Sequence, residues 1–427
     1  MASLPGSTTR ASPQYPADLH WIVYILFFAL GCITSLNDVI IPKLKALFVL
    51  PYVEIMLIQA AFFAAFLVVA LPAAWIVRRI GYMRTAVLGL LALGSGCLLF
   101  APASGSGLFA MFLAALFVLG SGITTVQVMI NPLMSMLGDP ATTQSRLSFS
   151  QAFYSLGTTI MPYLGALLIL GGGAAVAPDH PSAAMLNAFR SAQTRIIERL
   201  YLVIAMIVLT LAAVVWLRRR RLRERPPDEM HITQGFKLFR RPNFAFGCAS
   251  IFAYVGAEIA VGSIVVNYLM QPGVMGLSAQ AAGKHLPYYW GGAMVGRFMG
   301  GYFLKKISQG RVLVGVASVA IALLALSGHA SGDISGWALL AIGLCNSVVY
   351  PTLFSLACRD LGAHAAEGSG IIVLASVGGG VVPLLTGFTA DHLGLRMALI
   401  IPALCYLVIA GFGVFVGRAR GAATVFG

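Results

Sequence analysis

The stretch RRRRLRERPPDE (Arg218–Glu229), closed by FKLFRRP (Phe236–Pro242), divides this chain. No other connection carries as much charge. Before it lie six long apolar runs, at about 20–46, 52–77, 84–101, 107–137, 146–171 and 199–217. After it lie six more, at about 243–270, 285–304, 311–329, 334–358, 367–390 and 396–417. A helix needs about 20 mostly apolar residues to cross a bilayer. Proline and glycine inside several runs blur their limits without ending them, because membrane helices tolerate both. The sequence predicts an all-α membrane protein of twelve transmembrane helices in two six-helix bundles, at 19–217 and 243–427, with a tail at 1–18 and a linker at 218–242.

Composition agrees. Of 427 residues 59% are apolar and 10% charged, and the mean hydropathy is +0.88. A soluble domain carries roughly a quarter charged residues, so the solvent for most of this chain is lipid. The net charge of +14 does not point to nucleic acid, because the Lys and Arg sit in short clusters between the runs. With the N-terminus in the cytoplasm, twenty of them fall on the cytoplasmic side, seven on the outer side, and Arg297 inside a run. The positive-inside rule then places both termini and the linker in the cytoplasm of a bacterial inner membrane. The polar tail Met1–Asp18 lacks the basic region, short apolar core and cleavage site of a signal peptide and reads as a disordered cytoplasmic tail. Six cysteines, none in a CxxC pair, read as small buried hydrophobes. They suggest neither a disulfide framework nor a metal site.

The two halves resemble each other. SLGTTIMP (Ser155–Pro162) matches SVGGGVVP (Ser376–Pro383) at an offset of 221, and NPLMSMLG (Asn131–Gly138) matches YPTLFSLA (Tyr350–Ala357) at 219. Such duplication predicts a pseudo-twofold axis along the membrane normal and a cavity between the halves. Asp38 and Glu258, 220 positions apart, then occupy corresponding places.

Those two are the acids, out of fourteen, that lie well within runs. A carboxylate at mid-membrane costs about 2.5–3.5 kcal/mol on insertion scales, so such residues usually serve ion or substrate traffic. The structural alternative is a pair with Arg297 or a satisfied interhelical hydrogen bond. Arg297, followed by Lys305 and Lys306, reads as a gating contact or a snorkelling side chain. The other polar side chains in the runs are neutral: Thr34, Ser35, Asn37, Thr124, Thr125, Gln127, Asn131, Gln151, Tyr154, Tyr254, Asn267, Tyr288, Tyr289, Trp290, Asn346 and Tyr350. Amides and carboxylates can bridge the vicinal hydroxyls of a sugar, and aromatic rings offer flat faces to its C–H side. No basic cluster suited to an anionic substrate appears, and no HExxH, GxSxG or His–Asp arrangement suggests an enzyme.

The segments SLNDVIIPKLKALF, EIMLIQAAFFAAF, QVMINP, SRLSFSQAFYSLGTTIMP, YVGAEIAVGSIVVNYL, PYYWGGAMVGRFMGG, YPTLFSLA and VVPLLTGFTADHLG resemble the fucose:proton symporter family, and within it the glucose/galactose transporter branch. The resemblance covers nearly all of the chain after the tail. It implies the major facilitator fold, alternating access, and import of a neutral monosaccharide driven by a cation. The family's coupling acid in the NDV segment maps onto Asp38. Its second acid falls on Gln127, a neutral amide, while Glu258 stands where fucose carriers have a neutral amide. RLSFSQ nominates Gln151 as a sugar ligand. The loop Arg78-Arg79-Ile80-Gly81 lacks the acid usual in facilitators.

The expectation is a hexose carrier that couples to H⁺ or Na⁺ and uses no cofactor, with efflux of sugars or drugs by proton antiport as the alternative on the same fold. Asp38 and Glu258 are the candidate cation-coupling residues, and a sodium near Asp38 is the one metal considered. Asn37, Gln127, Asn131, Gln151, Tyr154, Glu258, Asn267, Tyr289 and Asn346 are the candidate sugar ligands. The expected partners are a sugar and lipid, with no nucleic acid, and twelve helices suffice for a monomeric carrier.

Overall fold

The computed structural model describes residues 17–137, 143–171, 183–221, 237–359, 361 and 365–425. The side chains of 297–306 lie outside that description, as do most of the tail at 1–18 and of the linker at 218–242. Long helices form where the apolar runs predict them. α1 is Ala17–Phe48; α2 is Tyr52–Ile55 continued by Leu57–Ile80; α3 is Tyr82–Leu98 continued by Phe100–Ser106. α4 is Phe109–Met136, α5 Thr143–Ile169 and α6 Ala183–Arg218. After the linker come α7 Pro242–Leu269, α8 Ala279–Lys306, α9 Gln309–His329 and α10 Asp333–Ala357. α11 is Ala365–Ala375 with Gly378–Leu393, and α12 is Leu395–Ala398 with Ile400–Val425. No strand occurs among the described residues. Among the described residues, eleven of these helices are long and apolar enough to cross a membrane. The other, α8, has 28 residues but opens on Gln280, Lys284 and His285.

One boundary moves well beyond expectation. The sixth apolar run begins near 199, yet α6 begins at Ala183. Its charged first turns are helical because they dock. Arg190 donates to the Leu47 carbonyl at 3.3 Å and lies over the Phe48 ring. Lys43 donates to Gln193 Oε1 at 3.2 Å, and Thr194 shares a hydrogen bond with Ser104 at 2.8 Å.

The duplication is visible in packing. Within the first six helices the main contacts are α1 with α5, α2 with α4, α3 with α4 and α3 with α6. Their counterparts recur in the second six: α7 with α11, α8 with α10, α9 with α10 and α9 with α12. The matched glycines of the repeat do the same job. A Cβ on Gly157 would run into the Phe28 carbonyl oxygen of α1, and one on Gly378 into the Phe252 carbonyl oxygen of α7. In lipid, helices associate through close backbone approach at small residues. Both copies therefore need glycine at that point.

The two halves meet along α5 with α8, α2 with α11, and α1 with α7. The face at which α1 begins is termed here the tail face, and the opposite one the far face. At the far face the Asp391 carboxylate, from the end of α11, accepts hydrogen bonds from the backbone N–H groups of Tyr52 (2.6 Å) and Val53 (2.8 Å) at the start of α2. The first amides of a helix have no partner within it, so one half caps a helix of the other.

Candidate functional site

Asp38 sits on α1, ten residues before its far end, or about 15 Å along the axis. Only 2% of it is exposed. Its partners come from both halves. Gln59 Nε2 of α2 donates to Asp38 Oδ1 at 3.0 Å. Ser263 Oγ of α7 donates to the same oxygen at 3.4 Å, and Trp290 Nε1 of α8 donates to Oδ2 at 3.2 Å. Gln59 Nε2 also donates to Ser263 Oγ at 2.9 Å, closing a triangle. Gly262 makes room for the carboxylate: a Cβ there would stand 3.4 Å from Asp38 Oδ2 and 3.1 Å from the Trp290 ring. All three donors are neutral, and a buried carboxylate without hydrogen bonds would be strongly disfavoured.

Glu258 is held differently. It lies on α7, half-buried. Tyr254, one turn earlier on the same helix, donates to Glu258 Oε1 at 2.8 Å and lies 3.0 Å from the Asn346 carbonyl. Tyr289 donates to the Glu258 backbone carbonyl at 2.8 Å, and Asn346 Nδ2 donates to the Tyr289 hydroxyl at 2.9 Å. Tyr406 of α12 donates to Asn346 Oδ1. Every one of these residues belongs to the second half. The adjacent residues Tyr289 and Trp290 join the two clusters, with ring centroids 5.2 Å apart. One turns to Glu258 and the other to Asp38.

A buried acid tied across two duplicated helical bundles suits a carrier. Comparison with known proteins bears this out. The Major Facilitator Superfamily model matches residues 23–376. The chain belongs to the Major Facilitator Superfamily. Within that superfamily it is 44% identical over 390 residues to the glucose/galactose transporter of Brucella abortus, covering 91% of this chain and 92% of that protein. It is 30% identical over 403 residues to the L-fucose-proton symporter of Escherichia coli K12, covering 91% of each. A crystal structure of the facilitator FucP in the outward conformation superposes with a TM-score of 0.70 at 28% identity, covering 93% of this chain and 98% of that one.

In this facilitator frame the remaining candidates separate into groups. Gln127 and Asn131 stand one turn apart on α4, and Gln151 and Tyr154 stand together on α5. Gln127, Gln151 and Tyr154 are half-buried, and Asn131 is exposed. Gln127 and Gln151 make no hydrogen bond among the described residues, which leaves their amides available. Tyr289 and Asn346 are buried, and their hydroxyl and amide are spent on the network around Glu258. Asn37 is buried with neither amide atom partnered. Asn267 lies nine residues beyond Glu258 and one turn beyond Ser263, near the far end of α7, and its amide nitrogen is buried with no hydrogen-bond partner among the described residues. The Arg297 side chain lies outside the described residues.

Three participants escape the sequence inventory: Gln59, Ser263 and Tyr406. A signal existed for Gln59, the lone polar side chain between Glu54 and Arg78 along α2 apart from the indole of Trp75. Tyr406 is likewise the lone hydroxyl of its run. Ser263 gives no such signal, since serine is common in membrane helices.

Proposed function

We propose that this chain imports a neutral hexose by symport with a proton, in alternating access between its two halves. The observation that carries the proposal is the Asp38 carboxylate, an acid of one half whose acceptors are filled by donors of the other. The names of the relatives, a glucose/galactose transporter and a fucose-proton symporter, supply the substrate class. The surroundings of Asp38 favour a proton over sodium. Sodium needs oxygen lone pairs, whereas an indole N–H is a donor only, and Trp290 presents one at 3.2 Å.

With twenty Lys and Arg on the tail side against seven on the far side, both termini lie in the cytoplasm of a bacterial inner membrane and the far face is outermost. The Asp391 contact then closes the outer side. When the outer side is open, Asp38 is parted from Ser263 and Trp290 and takes a proton. Neutral, it can enter a dry contact between the halves, where an unpaired charge would be costly. Gln127, Asn131, Gln151, Tyr154 and Glu258 hold the sugar, and Tyr289 and Asn346 brace Glu258. Once the halves close, the donors that surround Asp38 stabilise its anion, and the proton leaves with the sugar to the inner side. Linkage requires each ligand to tighten the other's binding. The carrier works as a monomer in lipid.

The test is uptake of labelled hexoses into proteoliposomes under imposed H⁺ and Na⁺ gradients. The expected result is accumulation under an inward proton gradient and none under sodium alone. Sugar driven outward by an inward proton gradient would establish antiport instead.

A further inference from the structure

Gln59 occupies an unusual place. It is 2% exposed, and its one amide nitrogen donates both to Asp38 of its own half and to Ser263 of the other. An amide nitrogen carries two protons, so both are committed when the halves are together. When they part, Ser263 and Trp290 leave with α7 and α8, and Gln59 is the partner that stays beside Asp38.

We propose that Gln59 is a positioning residue for coupling: it aims the Asp38 carboxylate at the α7–α8 surface and makes proton release conditional on closure against Ser263. The inference rests on the assignment of Asp38 as the proton site. Before closure the Gln59 amide holds Asp38 Oδ1 toward the other half, with its second proton uncommitted. Closure brings the Ser263 hydroxyl to that second proton, and the same hydroxyl donates to Asp38 Oδ1. The Trp290 indole fills Oδ2. The carboxylate then has three donors where it had one, and hydrogen bonds to an ionised acceptor are the stronger kind. The proton goes from the Asp38 carboxyl to water on the inner side, and the anion left behind keeps three hydrogen bonds. With Gln59 removed, the triangle loses two of its three sides.

Net uptake and exchange separate this role from a merely structural one. Net uptake requires the proton to leave in each cycle; counterflow of labelled against unlabelled sugar does not. Gln59→Met removes the amide at nearly constant volume. Net uptake should fall about tenfold, the size expected for one hydrogen bond to a charged group, while counterflow changes less than about twofold. Raising the internal pH by about one unit should restore net uptake, because a tenfold lower proton concentration compensates a tenfold harder release. Ser263→Ala, a small change that leaves the packing intact, should act in the same direction and less strongly. In an Asp38→Asn background, Gln59→Met should have no further effect on counterflow, since no charge is left to position.

Wild-type net uptake in Q59M would overturn the proposal. So would a loss of counterflow in step with net uptake that recurs in the Asp38→Asn background, for then Gln59 only packs. If D38N itself still concentrates sugar, the assignment of Asp38 fails first and this proposal with it. Loss of accumulation in D38N with an unaffected Q59M defeats the Gln59 role alone.

Discussion

Asp38 and Glu258 occupy corresponding positions of a duplicated chain, 220 residues apart, yet their surroundings differ in kind. Asp38 is bonded across the divide, to Ser263 and Trp290 of the second half. Glu258 is bonded within its own half, to Tyr254 by its side chain and to Tyr289 by its backbone. If the halves move apart, Asp38 loses two donors and Glu258 keeps both. Asp38 therefore senses the conformation through hydrogen bonds that part with the halves. In the proposed cycle the two corresponding sites divide the work: coupling to Asp38, substrate contact to Glu258.

The largest expected effect tests that division. Asp38→Asn should abolish accumulation against a gradient and retain counterflow. Glu258→Gln should raise the KM for sugar about tenfold or more, as expected for loss of a charged hydrogen-bonding group, and still allow accumulation at saturating sugar. Measuring both variants in the same vesicles would break the comparison if their phenotypes were exchanged.

Packing offers the next test, since here the two halves should behave alike. Gly157→Ala and Gly378→Ala each drive a methyl into a backbone carbonyl, a neighbour unable to move aside. Overpacking of this kind destabilises by about 1–3 kcal/mol. Thermal unfolding in detergent should show similar losses for the two; a cost confined to one would weaken the repeat.

Smaller effects sharpen the contrast further. Gln127→Ala should raise the KM for sugar by roughly five- to tenfold and leave the pH profile of uptake unchanged, because an amide carries no proton. Asp391→Ala removes a cap that one half places on a helix of the other. Loss of an N-cap is worth about 1 kcal/mol, so the far face should open about fivefold more often. Labelling of an Ala60→Cys probe by an impermeant maleimide, in a chain lacking the native cysteines, would report it.

Much of this was legible beforehand, and the limits have physical causes. Hydropathy found the helices because every backbone polar group in lipid must be satisfied within its own segment. The repeat located Gly157 and Gly378 because close approach leaves a glycine signature. Asp38 and Glu258 stood out because charge in a membrane is rare. Hydropathy missed the first turns of α6, where docking of Arg190 and Thr194 outweighs their polarity. The partners of Asp38 were hidden for another reason. Gln59, Ser263 and Trp290 come from three helices, and which faces of those helices converge is decided by packing. For the same reason the sequence does not show that Tyr289 and Asn346 are hydrogen-bonded around Glu258. A polar group in an apolar run is visible in sequence, but whether its hydrogen bonds are already filled is not.

The central claim is that Asp38 carries the coupled proton and Glu258 does not. Sugar-driven proton movement measures this without any imposed gradient. Adding hexose to lightly buffered, de-energised vesicles should alkalinise the medium for wild type and, at saturating sugar, for Glu258→Gln, and should leave it unchanged for Asp38→Asn despite normal counterflow. Alkalinisation by Asp38→Asn would contradict the account, as would its loss in Glu258→Gln with sugar binding intact.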